Sequence, residues 1–288
     1  MLDSLKVTVL VEDSAPYESP LLGQHGLSLL LEAEREGDVR RILVDVGQSP
    51  DTLLHNVGRL GRSPGEIDAV VLTHCHYDHT RGLARVLKAT GKTEIPVIAH
   101  PSLFRPNFIT VPFLRHVGVM QGDEPEDVLA AGGRLFPVVG PFQLLPGLVT
   151  TGEIPRVTDF EEVGIPLSTL DATGRVVQDS MTDDLAVVAR VKDRGAVVVT
   201  GCSHAGIVNI LKHAVRPGER VAGIIGGLHL VEASEERIAK TVTALSEFSP
   251  SLVAAGHCTG FRAQAAIYAA FGDRFATMGS GTAFVFRA

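Results

Sequence analysis

Three histidines and a carboxylate fall within Thr73-His74-Cys75-His76-Tyr77-Asp78-His79. Imidazole and carboxylate are the side chains that hold borderline divalent cations such as zinc. An extended backbone sends His74, His76 and Asp78 to one side and Cys75 to the other. That arrangement could serve two adjacent metals, one on His74 and His76 and the other on Asp78 and His79. Two ligands leave either metal incomplete, so further donors must come from elsewhere in the chain. Thr200-Gly201-Cys202-Ser203-His204 and Ala255-Gly256-His257-Cys258-Thr259-Gly260 each place a histidine just beyond an apolar run, where an α/β sheet gathers its ligands. Cys202 is open between a metal-binding thiolate and a small buried apolar residue.

These residues need elements to position them. Ala69-Val70-Val71-Leu72 reads as a buried strand, and Leu83, Val86 and Leu87 recur at helical spacing within 80–90. The cluster therefore sits at a strand-to-helix turn. Strands are predicted over Lys6–Glu12, Leu27–Ala33, Arg41–Gly47 and Pro96–Ala99, with a helix carrying Leu53, Leu54, Val57 and Leu60 between the third of these and the cluster. From Pro101 to about Asp179 the periodicity degrades and prolines accumulate, which predicts an irregular, pocket-forming insertion in a single domain covering 1–288. Regular structure returns as strands at 185–191, 196–200, 221–225, 252–255 and 283–286. Helices are predicted after Ser203, over 234–247 and over 264–271. Alternation of β and α segments in each half predicts an α/β fold with helices on the outer faces of its sheets.

Bulk properties narrow the function. A net charge of −7 and a pI near 5.9 argue against a general nucleic-acid binder. Hydrophobic residues at 45% and charged residues at 20% are ordinary for a soluble domain, and no apolar run approaches bilayer length. No signal peptide is evident at the N-terminus, and three cysteines make a poor disulfide framework. The expectation is a reduced, cytoplasmic protein that acts on a small, anionic molecule, with no nucleic-acid or membrane partner. Gly279-Ser280-Gly281 lacks the third glycine of a dinucleotide fingerprint.

His74-x-His76-x-Asp78-His79 resembles the signature of the metallo-β-lactamase superfamily, and Asp45 in Val44-Asp45-Val46-Gly47 is similar to the aspartate-glycine element that precedes it. The resemblance covers essentially the whole chain. It implies an αβ/βα sandwich, two mixed sheets flanked by helices with metals at one edge. It further implies His74 and His76 on one metal, Asp78, His79 and His257 on a second, and Asp45 bracing the ligand loop. Many members carry an aspartate where this chain has Cys202. Gly201-Cys202-Ser203-His204 resembles instead the dihydropterin ribofuranosyl-aminobenzene phosphate synthase-like subfamily. So do His25-Gly26-Leu27-Ser28, Gly152-Glu153-Ile154-Pro155-Arg156 and Gly226-Gly227-Leu228-His229-Leu230. On that resemblance His204 completes the first site, and Cys202 supports the ligands or lies between the metals.

The cofactors implied are two divalent ions, zinc first, with iron or manganese as alternatives. The reaction implied is hydrolysis, in which hydroxide on a binuclear centre attacks an ester, a phosphoester or phosphodiester first. Asp78 and His229 are the expected catalytic groups, and His25, Arg105, Glu153 and Arg156 the expected substrate contacts. Three readings compete. One is a pterin-type condensing synthase. Another is a serine hydrolase using Ser203, because Gly201-Cys202-Ser203-His204-Ala205 nearly forms a nucleophile elbow. The third is a non-catalytic metal sensor.

Overall fold

In the computed structural model, which describes residues 1–288, the chain forms two seven-stranded sheets and a small four-stranded one. The first sheet runs in the order Ala283–Arg287, Ser4–Val11, Ser28–Arg35, Asp38–Val44, Ala69–Val71, Ile95–Ala99, Gly133–Pro137. The second runs Phe275–Thr277, Val253–Gly256, Val221–Gly227, Gly195–Thr200, Ala186–Val191, Leu148–Thr150, Phe142–Leu145. Antiparallel pairings occupy one side of each sheet and parallel pairings the other.

Alternation along each strand builds the layers. Val197 and Val199 join Val7, Leu29, Ile42 and Val71 in a core between the two sheets. Their neighbours Ala196 and Val198 pack outward with Ile207, Leu211, Ile238 and Ile267 of the covering helices. On the opposite surface, Leu43 and Val70 meet Leu53, Val57, Leu83 and Val86. A strand buried on both faces needs apolar residues at every position, which is why these segments read as continuous apolar runs. The sandwich of mixed sheets flanked by helices is the expected one, and no helix is long and apolar enough to cross a membrane.

Strand direction then decides what meets at the edge. Ser4–Val11, Asp38–Val44 and Ala69–Val71 run the same way, because two antiparallel pairings separate the first two and a parallel one joins the last two. Glu12 and Asp13, Asp45, and the segment after Leu72 therefore emerge at one end. In the second sheet Gly195–Thr200, Val221–Gly227 and Val253–Gly256 are mutually parallel, so residues 201–204, 228–230 and 257–258 emerge together.

Two expectations are corrected. Residues 101–179 are not one insertion: Gly133–Pro137, Phe142–Leu145 and Leu148–Thr150 are strands of the two main sheets. They are short, and the first two lie at sheet edges, where proline costs few ladder bonds and periodicity has little length in which to register. The elaboration proper is the small sheet of Val176–Gln178, Leu167–Leu170, Phe108–Ile109 and Arg115–His116. Strand alternation also stops earlier than expected, since Tyr77–Thr80 is a helical turn with His76 as its cap residue. Asp78 and His79 are thus delivered by helical geometry and not by the pleat.

Candidate metal centre

His74, His76 and His204 bring ring nitrogens within 4.8 Å of one another, all three residues being buried. His204 Nε2 lies 3.2 Å from His76 Nδ1. Beside them Asp78, His79, Cys202 and His257 form a second buried group with the same spacing limit. Asp78 Oδ2 is its hub, 3.2 Å from His257 Nε2 and 3.5 Å from His79 Nε2. Cys202 Sγ stands 3.1 Å from His79 Nε2.

Asp45 connects the two groups. Its Oδ2 accepts from Thr73 Oγ1 at 2.7 Å and from His79 Nδ1 at 2.7 Å, and its Oδ1 accepts from Thr73 N at 2.8 Å. With its hydroxyl proton committed to Asp45, Thr73 Oγ1 can only accept from His74 Nδ1, 3.0 Å away. One carboxylate thereby orients a histidine in each group through its Nδ1 and turns both Nε2 atoms to the ligand side. The crowding around Asp45 requires Gly201, where a Cβ would stand 2.1 Å from Thr73 Oγ1 and 2.9 Å from Asp45 Oδ2. Asp13 treats His257 in the same way, with Oδ1 3.2 Å from Nδ1, and Glu12 accepts from the His257 backbone N–H at 2.7 Å.

The two groups differ electrostatically. Burial lowers His76 to about 4 and, with neighbouring imidazoles, holds His74 and His204 well below the usual histidine value. Burial works against protonating His79 too, but Asp78 and Asp45 overcome it and push it up to about 9. Burial is likewise outweighed at His257, by Cys258, Asp13 and Asp78, which raise its pKa. Burial raises the pKa of the Cys202 thiol.

His74 Nε2, His76 Nε2, His204 Nδ1 and His257 Nε2 are buried without a hydrogen-bond partner. Each such orphan costs roughly 1–3 kcal/mol, and four in one cluster is not a structural core. Each neutral ring has one lone pair to offer, and a cation among these buried rings would take it up, so the residues fit metal coordination.

Other expected contacts fall elsewhere. His25 is at the rim, half exposed, with Nε2 3.4 Å from Asp78 Oδ2 and Nδ1 3.2 Å from Asp13 Oδ1. His229 stacks near His204 with ring centroids 4.1 Å apart, and its Nδ1 is buried without a partner. Glu153 pairs with His100 Nε2 at 2.9 Å. Arg105 is not a free substrate clamp: it is locked to Asp179 at 2.7 and 3.0 Å and to Asp183 at 2.7 Å. Arg156 spends its guanidinium on the carbonyls of His204 and Ser180 at 2.9 and 2.8 Å, holding the ligand loop from outside. The serine-hydrolase reading fails on Ser203, whose fully buried hydroxyl donates to Gly227 O at 2.7 Å.

Glu12, Asp13, Asp183 and Asp184 are residues that sequence reasoning did not assign to the site. Asp183 accepts from Cys75 N at 2.8 Å and Asp184 from Ala205 N at 2.7 Å, so this acidic pair pins one ligand loop from each half. The available signal was position: Glu12-Asp13 ends a strand, and Asp183-Asp184 opens one.

The family profile of the metallo-beta-lactamase superfamily matches residues 24–172. The 7,8-dihydropterin-6-methyl-4-(beta-D-ribofuranosyl)-aminobenzene-5'-phosphate synthase of Methanocaldococcus jannaschii is 37% identical over 285 residues, 97% of this chain and 96% of its own length. An uncharacterised protein of the same organism is 30% identical over 260 residues, covering 89% of this chain and 91% of its own. Among solved structures, a metal-dependent hydrolase of the beta-lactamase superfamily matches with a TM-score of 0.80 at 25% identity, over 99% of this chain and all of that one.

Proposed function

This chain belongs to the metallo-beta-lactamase superfamily, and from that premise we propose that it is a metal-dependent enzyme whose reaction joins a dihydropterin methyl group to an aminobenzene bearing a ribofuranosyl phosphate. The observation that carries the metal-dependent part is the pair of donor groups that share Asp45 and leave four ring nitrogens unpartnered. The relative that is 37% identical over nearly both full lengths supports the choice of reaction. His74, His76 and His204 would hold one ion, and Asp78, His79 and His257 with Cys202 a second; zinc fits this nitrogen, oxygen and sulfur set. When bound, the ions supply Lewis-acid stabilisation of negative charge on a leaving or phosphoryl oxygen.

The chain's own residues do the positioning. Asp45 and Asp13 hold His79, His74 and His257 by Nδ1, directly or through Thr73, so that Nε2 is the nitrogen turned to the centre. Asp78 keeps a carboxylate at the centre, because His79 and His257 hold its pKa well below the usual range against the effect of burial. His229, beside His204 and with a free Nδ1, is placed to take or give a substrate proton, and His25 guards the open side.

A second reading, hydrolysis of a phosphoester, is favoured by the likeness to the solved metal-dependent hydrolase. The test is to offer the zinc-loaded protein a dihydropterin with a leaving group on its 6-methyl carbon together with 4-(β-D-ribofuranosyl)aminobenzene 5'-phosphate, and to offer a phosphodiester panel separately. Chelator-sensitive formation of the joined product is the expected result. Chelator-sensitive ester cleavage without joining selects the second reading, and neither activity overturns both.

A further inference from the structure

Behind His229 lies a cavity of about 470 Å³, within the range of small-molecule sites. Arg237 lines it and is 8% exposed, yet its guanidinium makes no hydrogen bond and no ion pair, and its Nε is buried without a partner. Buried guanidinium groups are ordinarily paired, because leaving one desolvated and unmatched is costly. The other two arginines with comparable burial, Arg105 and Arg190, are both locked to carboxylates. Across the cavity Gly164 leaves the gap open: a Cβ there would stand 3.3 Å from Arg237 Nη1 and 3.3 Å from His229 Cδ2. Arg237 and His229 are thus walls of one space, and the His229 ring in turn packs on His204 of the donor cluster, centroids 4.1 Å apart.

The rest of the lining restricts what fits. Glu161 is occupied, accepting from Val208 N, Asn209 N and Thr158 Oγ1, and Glu236 pairs with Lys240 at 2.7 Å. Asp159, Glu162 and Glu232 line the cavity and take part in no ion pair. This excess of negative charge disfavours a phosphate. Phe160 offers an aromatic surface among mostly polar walls. The occupant that matches is an uncharged, flat heterocycle with a carbonyl acceptor for Arg237 and an N–H donor edge for a carboxylate.

We propose that this cavity is the subsite for the 2-amino-4-oxopyrimidine ring of a pterin, with Arg237 donating to its carbonyl oxygen and Glu162 accepting from its N–H edge. The proposal rests on the dihydropterin reading above and adds the place and polarity of ring binding. It leaves the phosphate-bearing reactant to the other, His25 side of the cluster.

The test is fluorescence titration of 6-hydroxymethylpterin into the zinc-loaded full chain and its Arg237→Gln and Glu162→Gln variants, with inorganic phosphate as a separate titrant. A hydrogen bond from a charged group is worth enough that Arg237→Gln should weaken pterin binding roughly tenfold to a hundredfold. Glu162→Gln, at an exposed residue, should weaken it as well, and neither variant should lose zinc. Arg237→Gln should melt no lower than the wild type, because the guanidinium has no protein partner to lose. Unchanged pterin affinity in both variants overturns the proposal, as does a loss confined to phosphate binding or a marked fall in melting temperature for Arg237→Gln. Joined product with unchanged pterin affinity in the variants sinks this subsite alone. Arg237-dependent pterin binding without joined product sinks the reaction and keeps the subsite.

Discussion

His74, His76 and His204 meet as three imidazoles with no carboxylate among them, whereas Asp78, His79, Cys202 and His257 meet around a carboxylate that Asp45 and Asp13 reinforce from behind. The first group is prepared by desolvation. Burial keeps its rings neutral, so the lone pairs are available before any ion arrives, and the cost is borne as unpartnered nitrogens. The second is prepared by negative charge, which in the metal-free protein draws protons onto His79 and His257. Similar ligand types a few ångströms apart are thus held ready by opposite means, and the contrast shows that burial sets a histidine's protonation where no carboxylate bonds to the ring directly.

The largest break in this comparison comes from removing one ligand on each side. His76→Ala should empty the first group and His257→Ala the second, each reducing metal-dependent turnover to background; zinc counted by elemental analysis should fall in both. Full activity in either variant would remove that residue from the centre.

A smaller effect separates shared support from private support. Asp45→Asn disturbs the tautomers of His74 and His79 together, so zinc affinity should drop about 10–100-fold in both groups. Asp13→Asn touches His257 alone, and its loss should be confined to the second group. Competition with a chromophoric chelator reads both affinities. Equal losses in the two variants would contradict the linking role of Asp45.

The finest test is proton release. His79 holds its proton up to about 9, so an ion entering the second group displaces it, and affinity there should strengthen as pH rises towards 9. His76 is already neutral above about 4, so affinity in the first group should stay nearly level from neutral pH down towards that value. Calorimetry in two buffers of different ionisation enthalpy counts the protons released by each group. The same count for both would erase the distinction.

Much of the scaffold was legible because its signals are local. Runs such as Ala196-Val197-Val198-Val199 and the spacing of Leu83, Val86 and Leu87 record burial within a few residues, and both fall in the elements expected of them. Gly133–Pro137 and Phe275–Thr277 escaped because short edge strands carry too little pattern. The sequence did not reveal, for a different reason, the protein acceptors to which Arg105 and Arg156, expected as substrate contacts, are bonded. A guanidinium's role depends on which acceptors lie opposite, and Asp179, Asp183 and the His204 carbonyl are distant in sequence.

By itself the sequence determined that His74, His76, Asp78 and His79 crowd one turn, because donors this close together on a short segment cannot be far apart in space. It also placed His204 and His257 just beyond apolar strands. Tertiary structure decided which acid stands behind each donor. The parallel ends of two sheets bring Asp13, Asp45, Cys202 and His257 against that turn, and the proximity of each acid sets the tautomer and charge of each ring. Pairings such as Cys202 with His79 and Asp13 with His257 join segments more than a hundred residues apart, and no spacing rule along the chain encodes them.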